Sequence, residues 1–129
     1  MSKYVFGKIV GLGFDQAVEA ATRELAKEGF GVLTEIDVAA TLKKKLGLDR
    51  APYKILGACN PQFAARALEM EPQIGALLPC NVVVRQDTEG KTVVEFMDPN
   101  AVLELTGRPE VGAIAAEVRA RLQRVMQAL

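Results

Sequence analysis

The sequence YKILGACNP, residues 53–61, decides the fold because it joins a buried strand to the start of a helix. Its first six residues, 53–58, are largely apolar, which is typical of a strand at the centre of a sheet. Asn60 is a favoured N-cap residue, and Pro61 suits the first helical position, where a missing N–H costs nothing. We therefore predict that Cys59 ends a central strand and that Asn60 begins the helix after it.

A second corner of the same kind lies at LLPCN, residues 77–81. Both cysteines of the chain are directly followed by asparagine, and a proline stands beside each pair. Pro79 suits the start of a strand, where the sheet needs no donor. The residues CNVVVRQ, 80–86, continue as that strand, so Cys80 and Asn81 are its first residues.

The rest of the chain is divided by hydrophobic spacing and turn residues into further strands and helices. The turn Asp87-Thr88-Glu89-Gly90 predicts a hairpin, and the last helix carries an apolar stripe that suits packing on a sheet. We predict one domain, residues 1–129, of the α+β (mixed α/β) class, with a single mixed sheet of about five strands and helices mainly on one face. The predicted order is β-α-β-α-β-α-β-β-α-α, with strands at 4–10, 30–37, 53–58, 80–86 and 91–97.

The composition limits the partners of the protein. Half of the residues are hydrophobic, and 16 basic residues balance 16 acidic ones, so no basic excess is present to hold nucleic acid. No apolar run approaches the ~20 residues that span a bilayer, and no signal-peptide pattern opens the sequence. We expect a cytoplasmic protein with no membrane partner. If the second sheet face is apolar, a second copy covers it most simply, so we also expect a homodimer.

The chemistry available to the chain is narrow. It has no histidine, and its one serine is Ser2, which excludes Ser-His-Asp and Cys-His machinery and histidine metal sites. We predict no cofactor and no metal. Whether the protein is an enzyme stays open; Cys59 is the candidate catalytic residue if it is one.

Two interpretations of the Cys-Asn corners stay open. In the structural interpretation, capping, proline and small buried cysteines account for every residue. In the functional one, helix N–H groups beside Cys59 lower its thiol pKa and attract anions, and the corners form a binding site. The predicted binding residues of the two corners are Cys59, Asn60, Pro61, Cys80 and Asn81.

The topology decides whether the two cysteines meet. A parallel crossover would leave them at opposite ends of the sheet, whereas an antiparallel pairing, or a segment 71–79 that runs back along the sheet, would bring them together. A meeting of the two thiols allows a redox pair, and across a dimer axis four thiols would suit zinc or an iron–sulfur cluster, although the CxxC pattern is absent.

Two further segments carry features of binding sites. Glu35 and Asp37 share one face of a strand; Asp37 suits an N-cap, which leaves Glu35 as an additional candidate binding residue. The sequence from Gly11 to Gly13 is similar to a dinucleotide fingerprint, but Gln16 occupies the position of its third glycine. We interpret that segment as a plain strand-to-helix turn.

The sequences EGFGVLTEIDVAATLKKKLG, YKILGACNPQFAARALEMEPQIGALLPCNVVV and FMDP together resemble domain-of-unknown-function family 302. The resemblance extends from about Phe14 to the final helix. It implies a small bacterial or archaeal α/β protein, a cytoplasmic oligomer, and no assigned reaction. The motif residues that it carries over are Gly57, Cys59, Asn60, Pro61, Leu78, Pro79, Cys80 and Asn81.

We therefore predict a small cytoplasmic homodimer that binds a small molecule or partner without catalysis of its own. The alternative is a thiol-based redox or metal-binding protein that uses Cys59 and Cys80.

Overall fold

A computed structural model describes residues 3–129 of the chain. They form one sheet of five strands, β1 to β5, and five α-helices, α1 to α5, with two short 3-10 helices at Pro72–Leu77 and Glu104–Thr106. The predicted fold class and element order are confirmed, with the 3-10 helices added, but the sheet that was expected to be mixed is antiparallel throughout. The elements are β1 Val5–Val10, α1 Phe14–Lys27, β2 Gly31–Asp37, α2 Val38–Leu46, β3 Tyr53–Cys59, α3 Pro61–Met70, β4 Cys80–Gln86, β5 Thr92–Met97, α4 Pro99–Leu103 and α5 Pro109–Gln127.

The strands lie in the order β1-β5-β4-β3-β2, and all four pairings are antiparallel. Helix α3 and the 3-10 helix at Pro72–Leu77 return the chain to the end of the sheet where β3 stops. Strand β4 therefore runs opposite to β3, and a parallel ladder does not form. This is the topology that brings both Cys-Asn corners to one end of the sheet.

One face of the sheet, the helix face, packs against α1 and α5 to form the core. Alternate residues of β4 and β5, Val82, Val84, Val94 and Phe96, are fully buried there. The predicted stripe of α5 packs into the same core, because residues three and four apart share one side of a helix. Its buried members are Val111, Ile114, Ala115, Val118, Leu122 and Val125.

The intervening strand residues point to the opposite side of the sheet, the second face. Strand register places the following residues there: Ile9, Ile36, Ile55, Val83, Arg85, Val93 and Glu95. None of them belongs to the core cluster. At the two edges, Ile9 and Ile36 are 56% and 49% exposed.

Local caps explain where the helices begin and end. The Asp37 carboxylate accepts the Ala40 N–H at 2.9 Å and so caps α2, as its sequence position predicts. Helix α1 begins after Gly13, whose N–H donates to the Gln16 side chain at 3.3 Å. Gln16 thus has a capping role where a dinucleotide fingerprint would need a third glycine.

The hairpin between β4 and β5 is confirmed. The Asp87 carboxylate accepts the N–H groups of Glu89 and Lys91, both at 2.9 Å, and Gly90 adopts a φ of 78°. Glycine is required there because other residues resist positive φ. Within residues 3–129, none of the helices is long and apolar enough to cross a bilayer.

Candidate functional site

The two Cys-Asn corners meet. Ala58, the residue before Cys59, pairs with Cys80 across the antiparallel β3–β4 ladder. The two cysteines are therefore diagonal neighbours on adjacent strands, and both are free thiols. The open question of the sequence is answered by this register: the corners lie side by side at one end of the sheet.

Both cysteines line a cavity of about 360 Å³, which we call the Cys-Asn cavity. Its walls come from the facing ends of β2, β3 and β4, from α3 and from α5. The volume lies at the small end of the range of about 300–1,000 Å³ found for ligand sites. The lining is apolar almost throughout and includes Phe30, Phe63, Ala64, Leu78, Ile114 and Val118.

The mouth of the cavity carries two exposed leucines. Leu33 lies at the register shift in β2 and is 69% exposed, and Leu68 on α3 is 44% exposed. Both line the cavity. Large apolar side chains at the rim of an apolar pocket are typical of a site that takes an apolar ligand.

Asn60 supplies the amide of the cavity. It caps α3 as predicted, because its Oδ1 accepts the Phe63 N–H at 3.4 Å. Only 7% of Asn60 is exposed. Among residues 3–129 its Nδ2 donates no hydrogen bond. The cap thus uses the Oδ1 oxygen of the Asn60 amide and leaves the Nδ2 donor without a partner among these residues.

Positive charge lies beside this amide. The guanidinium carbon of Arg121 is 5.0 Å from the centre of the Phe63 ring, and that of Arg66 is 5.7 Å from it. Arg121 is anchored from the other side, since its Nη1 donates to the Glu28 carbonyl at 3.1 Å. An aromatic wall of the cavity is therefore flanked by two cations.

Cys80 is the buried member of the cysteine pair. Burial raises the pKa of the Cys80 thiol to about 11, and the neighbouring Cys59 adds to the shift. The thiol is therefore protonated at neutral pH, and a protonated thiol is a poor nucleophile. Cys59 is half-buried at the carboxyl end of β3.

The raised pKa of Cys80 predicts that stability falls in alkaline solution. Below about pH 9 the thiol is neutral in both the folded and the unfolded chain. Between about pH 9 and pH 11 the unfolded chain releases this proton first, so rising pH favours unfolding, by at most about 1.4 kcal/mol per pH unit. Urea unfolding across this range measures the slope. Cys80→Ala is expected to reduce it, and an unchanged slope in that variant would contradict the assignment.

The other predicted binding residues lie outside the cavity lining. Pro61 is the exposed first residue of α3, and Asn81 is exposed opposite Gly57. Glu35 on β2 pairs with Lys54 at 2.7 Å, and this hydrogen bond raises the pKa of Lys54. The cavity brings Cys59, Asn60 and Cys80 together and leaves these three residues apart from them.

The apolar walls were not predicted from the sequence. Phe63 and Ala64 stand in a helix whose hydrophobic spacing also fits ordinary core packing, and Leu33 stands in a strand. Leu33 reaches the cavity because it is the extra residue in β2, where Thr34 rather than Leu33 pairs with Gly57. A register shift of this kind depends on the partner strand and is invisible in the strand's own sequence.

Comparison with known proteins agrees with this architecture. Residues 7–129 match the family described as "Domain of unknown function DUF302". The chain belongs to the DUF302 family. A DUF302 crystal structure, "uncharacterized conserved protein DUF302 from Bacillus stearothermophilus", is 34% identical, with a TM-score of 0.91 over 98% of each chain. No curated protein matches the sequence.

The family match confirms the resemblance seen in the motif residues and covers both Cys-Asn corners. The description of DUF302 names no reaction. What the site does must therefore be argued from its geometry.

Proposed function

We propose that the protein is a homodimer that binds a small amphipathic carboxylate in the Cys-Asn cavity, without catalysis of its own. The observation that carries the proposal is the cavity itself, about 360 Å³ of apolar space with Asn60 among its lining residues. The apolar body of the ligand would fill the cavity, and its carboxylate would accept a hydrogen bond from Asn60.

The apolar walls set the first requirement on the ligand. Transfer of apolar surface from water contributes roughly 25 cal/mol per Å² of area buried. Phe63, Leu78 and Ile114 offer such surface inside, and Leu33 and Leu68 extend it to the rim. A strongly polar molecule would lose its hydration in this space without replacement.

The polar end sets the second requirement. Asn60 presents a hydrogen-bond donor, the N-terminus of α3 adds a partial positive charge, and the guanidinium groups of Arg66 and Arg121 stand beside Phe63. Asn60, the helix N-terminus and Arg66 favour an anion or a carbonyl oxygen, whereas Arg121 already pairs with Glu117 at 3.3 Å. A carboxylate satisfies them best because charged acceptors form the stronger hydrogen bonds.

Asn60→Asp tests this assignment while keeping the helix cap. Aspartate caps as well as asparagine, but it replaces the Nδ2 donor with a second acceptor. Straight-chain carboxylates of six to twelve carbons serve as probes. We expect the best of them to stabilise the wild-type protein in a thermal shift, by about 2.7 kcal/mol at 100 times its Kd.

The variant is expected to bind that probe with a Kd roughly ten- to a hundredfold higher, the cost of about 1–3 kcal/mol for an unmatched polar group. The alcohol of the same chain length is the matched control, since it lacks the charge and should lose far less affinity. If no carboxylate of the series stabilises the wild type, or if the variant binds it equally well, the proposal fails.

The alternative of thiol chemistry rests on the neighbourhood of Cys59 and Cys80. The raised pKa of Cys80 counts against it, because the resolving thiol stays protonated at neutral pH. For the metal alternative, residues 3–129 contain no group of three or more His, Cys, Asp or Glu side chains arranged to hold an ion. The geometry supports ligand binding better than either.

A further inference from the structure

We propose that the second face of the sheet is the surface through which two copies of this chain associate. This inference rests on the proposed homodimer and adds the interface, its symmetry and its charge pairing. It concerns the side of the sheet opposite to α1 and α5.

The second face is apolar on all five strands. Ile9 pairs with Val93 across β1 and β5, and Ile36, Ile55 and Val83 pair in turn across β2, β3 and β4. All five lie outside the core cluster, although Val93 is only 8% exposed in the single chain. Every strand thus places a β-branched side chain on this face, with Arg85 and Glu95 between the two apolar groups, whereas the solvated face of an antiparallel sheet is ordinarily polar.

The charges on this face identify its occupant. Among its strand residues only Arg85 and Glu95 are charged, and they pair with each other at 2.7 Å beside Val83. The face is thus neutral, with one cation next to one anion. Two copies can stack face to face about a two-fold axis that lies between the sheets and is perpendicular to the line from Arg85 to Glu95. If the axis passes the midpoint of that line, each Arg85 lies opposite the Glu95 of the other copy.

A self-complementary charge pair is what an isologous interface between identical chains requires. A partner protein of one dominant charge would leave either Arg85 or Glu95 without an opposite charge. The second copy satisfies both at once. Aligned stacking of two antiparallel sheets about 10 Å apart is the packing seen in β-sandwiches.

The area of the second face is near the minimum for a specific interface. Five strands at about 4.8 Å spacing, each with six or seven residues at about 3.3 Å, cover roughly 24 by 20 Å. The two faces together bury about 960 Å² in plan. This is close to the total of about 1,000 Å² that a specific interface needs. The estimate treats each face as flat and leaves out the additional surface of protruding side chains.

The test exchanges the two charges between separate chains. Arg85→Glu makes a face with two anions, and Glu95→Arg makes a face with two cations. We expect the wild type to sediment at twice the 13.9 kDa chain mass, and each variant to dimerise at least tenfold more weakly. An equimolar mixture of the two variants is expected to form a heterodimer, because a face with two anions then meets a face with two cations.

Leu105→Glu, at a leucine that is 77% exposed on the helix side, is the control and should stay dimeric.

Circular dichroism checks that each variant is folded. If a charge variant does not fold, Ile9→Glu and Ile36→Glu, at the exposed edges of the second face, replace it. Both of these variants are expected to be monomeric. A dimeric wild type whose folded variants stay dimeric, or whose mixture yields no heterodimer, overturns this interface but leaves the proposed homodimer standing. A monomeric wild type at 100 µM overturns both. Carboxylate binding is measured separately and is unaffected by either outcome.

Discussion

Phe96→Ala is expected to lower the free energy of unfolding by about 3–5 kcal/mol, the cost of removing a buried aromatic ring from a core. Phe96 is fully buried on β5, at the centre of the helix face. Its ring stacks on that of Phe6 at 5.5 Å between centres, and its backbone pairs with Val82. Removal of the ring leaves a cavity in the core. The cavity cannot close easily, because β5 is held by hydrogen bonds to β1 on one side and to β4 on the other.

Urea or guanidinium unfolding measures this loss. Leu105→Ala is the control for truncating a large apolar side chain, since Leu105 is 77% exposed and should change stability by less than about 0.5 kcal/mol. A loss below about 1 kcal/mol for Phe96→Ala would show that this residue is not at the centre of the core.

Gly57→Val is expected to destabilise the protein by about 3 kcal/mol, at the upper end of the usual cost of overpacking. A Cβ at this position would overlap the Thr34 hydroxyl and lie 2.9 Å from the Pro79 ring. Gly57 is therefore small because β2 and the proline of the second Cys-Asn corner close over it. The strain falls directly beside the cavity.

Gly31→Val is the matched control on the neighbouring strand, because a Cβ there meets no atom within 4 Å. Since valine suits strands better than glycine, this change should be neutral or stabilising. Equal stability of the two variants in denaturant unfolding would contradict the close packing of β2, β3 and Pro79.

Local rules were enough to predict the strands and α-helices of this chain from its sequence, but not its two 3-10 helices. Asn60 and Asp37 cap helices because their side chains accept a nearby N–H, and that signal lies within four residues. The hairpin at Asp87 and Gly90 is equally local. Such interactions do not depend on the rest of the fold, so the element order follows from the sequence.

The strand order depends on interactions between distant residues. Nothing near Cys59 or Cys80 specifies that β3 and β4 pair directly, since 20 residues and two helical segments separate the strands. The cavity is harder still to predict, because its walls come from β2, β3, β4, α3 and α5. The sequence therefore identified Cys59, Asn60 and Cys80 as candidates but not the apolar space between them.

Native mass spectrometry of the freshly purified protein, incubated with the best-binding carboxylate, tests the central claim most directly. We predict a dimer that carries one carboxylate per chain, while the denatured spectrum gives the bare polypeptide. Ala64→Leu should remove the bound mass, because Ala64 lines the cavity, and Ala65→Leu should keep it, because the adjacent alanine is exposed. A wild-type protein that carries no carboxylate, or an Ala64→Leu variant that carries as much as the wild type, would contradict the assignment of the Cys-Asn cavity as a ligand site.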